Sequence, residues 1–204
     1  SQSAISHHRL QGIKEVIDTL RYISNAPDLR TMIALSGFAA FCIGTAYQAQ
    51  MPQFATDLGH GQAGITYAML LGADAGGALL AGIALETIAR LKTTALNATR
   101  LCALWGVVLF IFAATQSYPV ALVCLFLAGF FDLAFNSMAM ALIQIEAPQE
   151  LRGKIIGVAI MANLGLRMFS GINVGLMGQH FGIHLSLALS AALVLIGLAP
   201  LWWW

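Results

Sequence analysis

The chain has 204 residues, of which 59% are hydrophobic and only 9% charged, with a net charge of +1. An ordinary soluble domain carries about 25% charged residues, so this composition excludes a soluble protein of this size. Outside the flanks of its apolar segments the chain has no basic stripe, which excludes nucleic acid as a partner.

Residues 1–9 are polar. From there Ile13, Val16, Ile17, Leu20 and Ile23 recur at helical spacing, with Lys14, Glu15, Asp18 and Arg21 on the opposite face. The segment is too charged to span a bilayer, so a short amphipathic helix lying on the membrane surface is predicted. Asn25-Ala26-Pro27-Asp28 ends it, because proline disfavours helix in the residue before it. The first thirty residues lack the apolar core of a signal peptide. The chain begins with Ser rather than Met, as expected of a processed product or a piece of a longer protein.

Six long apolar segments follow, at 31–51, 63–86, 94–115, 119–146, 154–177 and 182–203. Each has about the twenty residues needed to cross the hydrocarbon core. The gaps are short, so successive helices are antiparallel neighbours. Basic residues concentrate in alternate gaps. Arg9, Lys14, Arg21 and Arg30 precede the first segment; Arg90, Lys92 and Arg100 surround the second gap; Arg152 and Lys154 lie between the fourth and fifth segments. The gaps around Asp57–Gln62, Gln116–Pro119 and Gly178–Gly182 carry no Lys or Arg. Basic loops are retained on the cytoplasmic side. The expected fold is an all-α membrane protein of six transmembrane helices, with a cytoplasmic linker at 1–30, a membrane domain at 31–204 and both termini cytoplasmic. Trp202, Trp203 and Trp204 fall where an aromatic belt meets the headgroups.

Small residues are dense in the second segment (Gly72, Gly76, Gly77, Gly82) and the fifth (Gly157, Gly165, Gly171, Gly175). Close backbone approach through such residues drives helix packing in lipid; flexing points in a moving bundle are the alternative. Cys42, Cys102 and Cys124 all lie inside apolar segments and read as small buried hydrophobes, neither disulfide partners nor metal ligands.

Three ionisable residues lie deep in the segments: Asp74, Asp132 and Arg167. Such groups are costly in lipid and face the protein interior. Asp132 stands fourteen residues before Glu146, and Arg167 fourteen after Gly153. Both are thus about 21 Å from the turn between their helices, and an ion pair is predicted, either structural or titrating. Asp74 has no obvious basic partner. It either carries a proton, pairs with a residue outside this chain, or is hydrogen-bonded in a packed bundle. Tyr67, Asn136, Gln144, Asn163 and Asn173 add polar groups at similar depths. His180 and His184 have no carboxylate or Cys nearby to complete a metal site and are expected to be a solvated loop pair. Asn97-Ala98-Thr99 matches a glycosylation sequon but falls on the predicted cytoplasmic side. No catalytic triad, phosphate loop or pair of catalytic carboxylates stands outside the segments, so neither enzyme chemistry nor a cofactor is expected.

The gap between the fourth and fifth segments reads Glu146-Ala147-Pro148-Gln149-Glu150-Leu151-Arg152-Gly153-Lys154. Pro148 breaks the preceding helix, Arg152 and Lys154 face anionic headgroups or acidic helix ends, and Gly153 is expected to allow close backbone approach. With these residues the chain resembles the major facilitator superfamily, whose members commonly carry Pro-x-x-x-Arg-Gly-Arg/Lys between helices ten and eleven. Gly129-Phe130-Phe131-Asp132, with Asn136, Gln144 and Pro148, is similar to helix ten of the exporter branch that includes the enterobactin exporter. Ile13–Leu29 is similar to that branch's central cytoplasmic linker. The stretch Gly82 to Lys92 resembles the superfamily's Gly-x-x-x-Asp-Arg loop: Gly82 is kept, Glu86 takes the acidic place, and Arg90 and Lys92 supply charge, but the Arg beside the acid is missing.

The resemblance covers nearly the whole chain. It implies helices seven to twelve, one half of a transporter whose substrate binds between two six-helix halves. It further implies export of a hydrophobic or amphiphilic small molecule, coupled to protons, in a cell inner membrane. Asp74, Asp132, Asn136 and Arg167 are then candidates for the substrate or proton pathway. Gly82, Glu86, Arg90, Pro148, Arg152, Gly153 and Lys154 are candidates for cytoplasmic gating loops. The expected partners are the lipid bilayer, a small-molecule substrate, and an N-terminal six-helix half or another membrane subunit. The competing expectation is a structural subunit of a larger membrane complex, with its polar residues paired and dry.

Overall fold

Helix α1 (residues 15–25) stops where Pro27 forbids helix at Ala26, as the sequence predicts. The computed structural model describes residues 15–58, 64–87 and 92–199. Pro27 then opens α2 (Pro27–Cys42), in the first turn, where a missing N–H costs nothing. After it come α3 (Ala46–Ala49), α4 (Met51–Asp57), α5 (Ile65–Thr87), α6 (Ala95–Ala114), α7 (Tyr118–Glu146), α8 (Arg152–Phe181) and α9 (Ile183–Leu198). There is no strand among the described residues.

Five helical stretches are long and apolar enough to cross a membrane: Pro27–Ala49, α5, α6, α7 and the Arg152–Gly171 part of α8. The sixth predicted segment appears as α9, an apolar helix of 16 residues; Trp202–Trp204 lie outside the described residues. The first predicted segment starts earlier than expected and is not one helix. It breaks at Ile43–Thr45, where Gly44 takes a φ of 50°. The amides of Ile43 and Gly44 both reach the Ala39 carbonyl, at 3.0 and 3.4 Å, which closes α2. Left-handed backbone of this kind favours glycine. Hydropathy alone gives no sign of the break.

The other boundaries have local causes. Thr94 Oγ1 accepts from the Asn97 amide at 3.3 Å and caps α6. Asn97 Nδ2 donates to the Lys92 carbonyl at 2.8 Å, so the sequon asparagine serves the loop. Ala147 is extended before Pro148, and α7 ends at Glu146. Pro148 to Leu151 forms a turn, so α8 begins at Arg152, beyond Glu150. Gly182, with φ of 83°, separates α8 from α9.

The core lies among α2, α4, α6, α7 and α9, where Trp105, Phe54, Phe112, Phe135, Leu109 and Leu125 are fully buried. The most extensive helix pairing is α5 with α7, followed by α6–α7, α6–α9 and α2–α8. At the α5–α7 crossing, Gly77 meets the Phe126 carbonyl and Gly129 meets the Asp74 carbonyl, leaving no room for a side chain on either glycine. Small-residue packing is therefore found on α5 at Gly77, with Gly76 and Gly82 in ordinary contact and Gly72 open, but not along the first part of α8. Among the described residues nothing stands within 4 Å of the space beside Gly157, Gly165 or Gly171, and the surroundings of Gly175 lie outside the described residues. α5 and α8 are also the least covered helices: 22% and 17% of their apolar windows are buried, against 44 to 53% in the other three spans. They are therefore the spans this chain leaves most open.

On α1, the predicted apolar face splits. Thr19 and Ile23 are buried against the bundle, while Val16, Ile17 and Leu20 remain about half exposed. That leaves an apolar strip of the kind a membrane surface covers.

Candidate functional site

The break at Gly44 positions the site. Gly44 sits against the Ser170 side chain of α8, and the chain redirects into the single turn of α3. That turn aims Tyr47 and Gln48 at α5. The Tyr47 hydroxyl donates to Asp74 Oδ1 at 3.1 Å, and Gln48 Nε2 donates to Asp74 Oδ2 at 2.8 Å. Tyr47 is fully buried and Asp74 is buried. Each carboxylate oxygen thus receives one donor, which satisfies a group that lipid would leave stranded. Asp74 has no basic partner among the described residues, as the sequence implies, but its two neutral partners were not singled out there. Tyr47 and Gln48 lie in an apolar run with no motif, and only the helix break turns them toward Asp74.

Asp74 also stands at the α5–α7 crossing, because its own carbonyl abuts Gly129. The Gly129-Phe130-Phe131-Asp132 run therefore has a packing role: Gly129 admits α5, and Asp132 follows about one turn later. Asp132 is half-buried. Asn136 Nδ2 donates to its carboxylate at 2.7 Å and to its carbonyl at 2.9 Å.

The predicted Asp132–Arg167 ion pair is not formed. The ion pairs among the described residues are Lys154–Glu15 and His184–Asp57. Depth along the two helices matches, but α8 packs chiefly against α2 and touches α7 little, so equal depth does not become contact. Arg167 remains within electrostatic reach of Asp132, as does Asp74. The buried Arg167 Nε has no hydrogen-bond partner among the described residues. The remaining membrane-depth residues divide. Asn163 Nδ2 donates to Ser36 Oγ at 2.8 Å and joins α8 to α2. Tyr67 packs against the core, Gln144 is exposed, and the Asn173 side chain lies outside the described residues. Ser36, Asn136 and Asn163 share the lining of a partly open cavity of about 200 Å³ with apolar side chains of α7 and α8.

At the far end, the predicted gating residues are spread out. Gly82 and Glu86 are exposed on the last turns of α5, and Arg90 lies outside the described residues. Pro148 is half-buried in the turn, while Arg152, Gly153 and Lys154 are exposed in the first turn of α8. Gly153 has nothing within 4 Å of the space beside it, so close approach is not its role in this arrangement. Lys154 Nζ reaches Glu15 Oε2 at 2.9 Å and ties α1 to α8. Among the described residues, no group of three or more His, Cys, Asp or Glu is placed to hold a metal ion. Cys42, Cys102 and Cys124 are free and buried.

The site is thus a polar cluster near the middle of the long apolar helices. No curated protein and no solved structure matches the chain. A family model described as transmembrane secretion effector matches residues 3–202, nearly the full length, and its superfamily is the one that the α7–α8 turn resembles. The chain belongs to the transmembrane secretion effector family, a transporter group of the major facilitator superfamily.

Proposed function

We propose that this chain is one six-helix half of a secondary transporter, exporting a hydrophobic or amphiphilic small molecule in exchange for protons. Its six helices sit in a cell inner membrane with both termini in the cytoplasm. Residues 1–30 are the linker that follows an upstream half, as in the enterobactin-exporter branch, and 31–204 the membrane domain. The observation that carries this reading is Arg167. Its Nε is buried with no hydrogen-bond partner among the described residues, which is costly in a membrane, and it belongs to one of the two spans this bundle covers least. A second half closing over α5 and α8 would give the half-buried Arg167 side chain further partners and enclose a cavity, with Asp132, Asn136 and Asp74 on this wall.

In this scheme Asp74 is a proton site. With a donor on each oxygen it accepts twice. Taking up a proton obliges one partner to turn: Gln48 presents its amide oxygen, or the Tyr47 hydroxyl accepts instead. Protonation is thereby tied to movement of the broken segment. Glu86, Arg90, Gly82, Pro148, Arg152, Gly153 and Lys154 line the cytoplasmic gate.

One observation favours a second reading, a non-transporting subunit of a larger membrane complex. Asp74 is paired and dry within this chain, as a scaffold requires. Asp132→Asn separates the two. Efflux of a panel of lipophilic dyes is measured from cells expressing the native protein, alongside its abundance. Lost efflux at unchanged abundance supports transport; lost abundance or lost assembly supports the scaffold. The intact mass of the native chain is a prior check: a value near twice 21.7 kDa reveals the upstream half.

A further inference from the structure

At the end of the bundle opposite the α7–α8 turn, three elements meet on one imidazole. His184, in the first turn of α9, is half-buried rather than part of a solvated loop. Its Nδ1 lies 2.8 Å from the Ala113 carbonyl oxygen at the end of α6. A carbonyl only accepts, so Nδ1 carries the hydrogen. Its Nε2 lies 3.6 Å from Asp57 Oδ2 at the end of α4, again an acceptor. A neutral imidazole has one N–H. Once that is given to Ala113, the other nitrogen turns a lone pair toward a carboxylate. Only the imidazolium donates in both directions.

The ring is held for this role. It meets Phe54 of α4 edge-on, with centroids 4.8 Å apart. Phe54 is fully buried and packs on Phe112 of α6, also at 4.8 Å. An open cleft of about 470 Å³, lined by Asp57, Thr115, Gln116 and His184 among others, gives water access. The groups facing the ring are few. α4 supplies the Asp57 carboxylate, and the C-terminus of α6 supplies carbonyls that favour a cation. The α6–α7 turn supplies uncharged Thr115 and Gln116. The N-terminus of α9 opposes a cation, and His180 is exposed at the end of α8. His60 lies outside the described residues.

We infer that His184 is a proton-binding site which, when doubly protonated, straps α4 to the end of α6 and the start of α9, and which releases α4 on deprotonation. The strap is present while both ring nitrogens carry hydrogen, on the acidic side, and lost on the basic side once Nε2 gives up its proton. α4 is joined through Gln50 to α3, whose Tyr47 and Gln48 hold Asp74.

The test is hydrogen–deuterium exchange of residues 51–58 in the full native protein in lipid nanodiscs. It compares pH of about 5.5 with about 8, which brackets the imidazole range, after correction for intrinsic exchange. Corrected exchange is expected to rise about threefold at the higher pH, the scale of a half-exposed ion pair. His184→Gln and Asp57→Asn should both abolish the step, and His180→Gln should keep it. A pH-independent wild type, or a step that survives in His184→Gln, overturns the inference. If His184→Gln does not fold, Asp57→Asn decides alone, because it keeps the ring and removes only the charge: a full step in that protein also overturns it.

Discussion

Glycine is used in opposite ways at the α5–α7 crossing and along α8. At the crossing, Gly77 and Gly129 press against backbone carbonyls of the facing helix. Along α8, Gly157, Gly165 and Gly171 face open space, beside exposed Met161, Leu164 and Met168. The polar groups follow the same division. Asp74, at the crossing, finds both its partners inside this chain, whereas Arg167, on α8, leaves Nε without one among the described residues. One region is finished by the fold of these residues, and the other has the chemistry of a surface awaiting a protein neighbour. A small-residue pattern thus reports that helices come close, without saying whether the neighbour is in the same chain.

The largest expected effect comes from placing the same side chain in both regions. Gly129→Val or Gly77→Val drives a branched side chain into backbone, which cannot yield as a flexible side chain can. The cost should be about 3 kcal/mol or more, seen as loss of monodisperse protein in detergent and a sharply lowered melting temperature. Gly165→Val should change stability of the isolated bundle by no more than about 0.5 kcal/mol. Equal losses at Gly129 and Gly165 would break the comparison. Gly165→Val should still impair efflux if a second half packs there, and unaltered efflux would count against that half.

A smaller effect separates the two polar groups. Tyr47→Phe removes one donor from a buried carboxylate and should destabilise by about 1–3 kcal/mol, because Asp74 is left partly unsatisfied. Tyr47→Phe melting like wild type would mean that Asp74 does not depend on this pair. Arg167→Gln should cost the isolated bundle less than Tyr47→Phe, since Nε makes no hydrogen bond to lose among the described residues. The smallest effect belongs to the Lys154–Glu15 pair, whose side chains are 47% and 58% exposed. Glu15→Gln should shift stability by less than about 1 kcal/mol. Faster proteolysis of α1 in that protein would show that the pair's role is to dock the linker.

Much of the architecture was legible in the residues. Pro27 and Pro148 mark helix ends that the structure keeps, and each predicted apolar segment contains helix. The place of Asp74, Asp132 and Arg167 near the middle of long apolar helices was legible too. Their partners were not. Asp132 and Arg167 stand at equal depth, yet α8 lies mainly against α2. Tyr47 and Gln48 reach Asp74 only because Gly44 breaks a run that hydropathy reads as continuous. His184 is held by a carbonyl seventy-one residues away in the chain.

By itself the sequence determined what varies along each helix axis: which stretches are apolar enough to enter lipid, where they end, and how far along each charge stands. Those properties follow from local composition and a constant rise per residue. Only the tertiary structure decided what varies around each helix axis: which face meets which neighbour, which glycines touch backbone, and which acid finds a donor. Rotation and neighbour choice in lipid depend on close packing between segments distant in the chain, and no single segment carries that information.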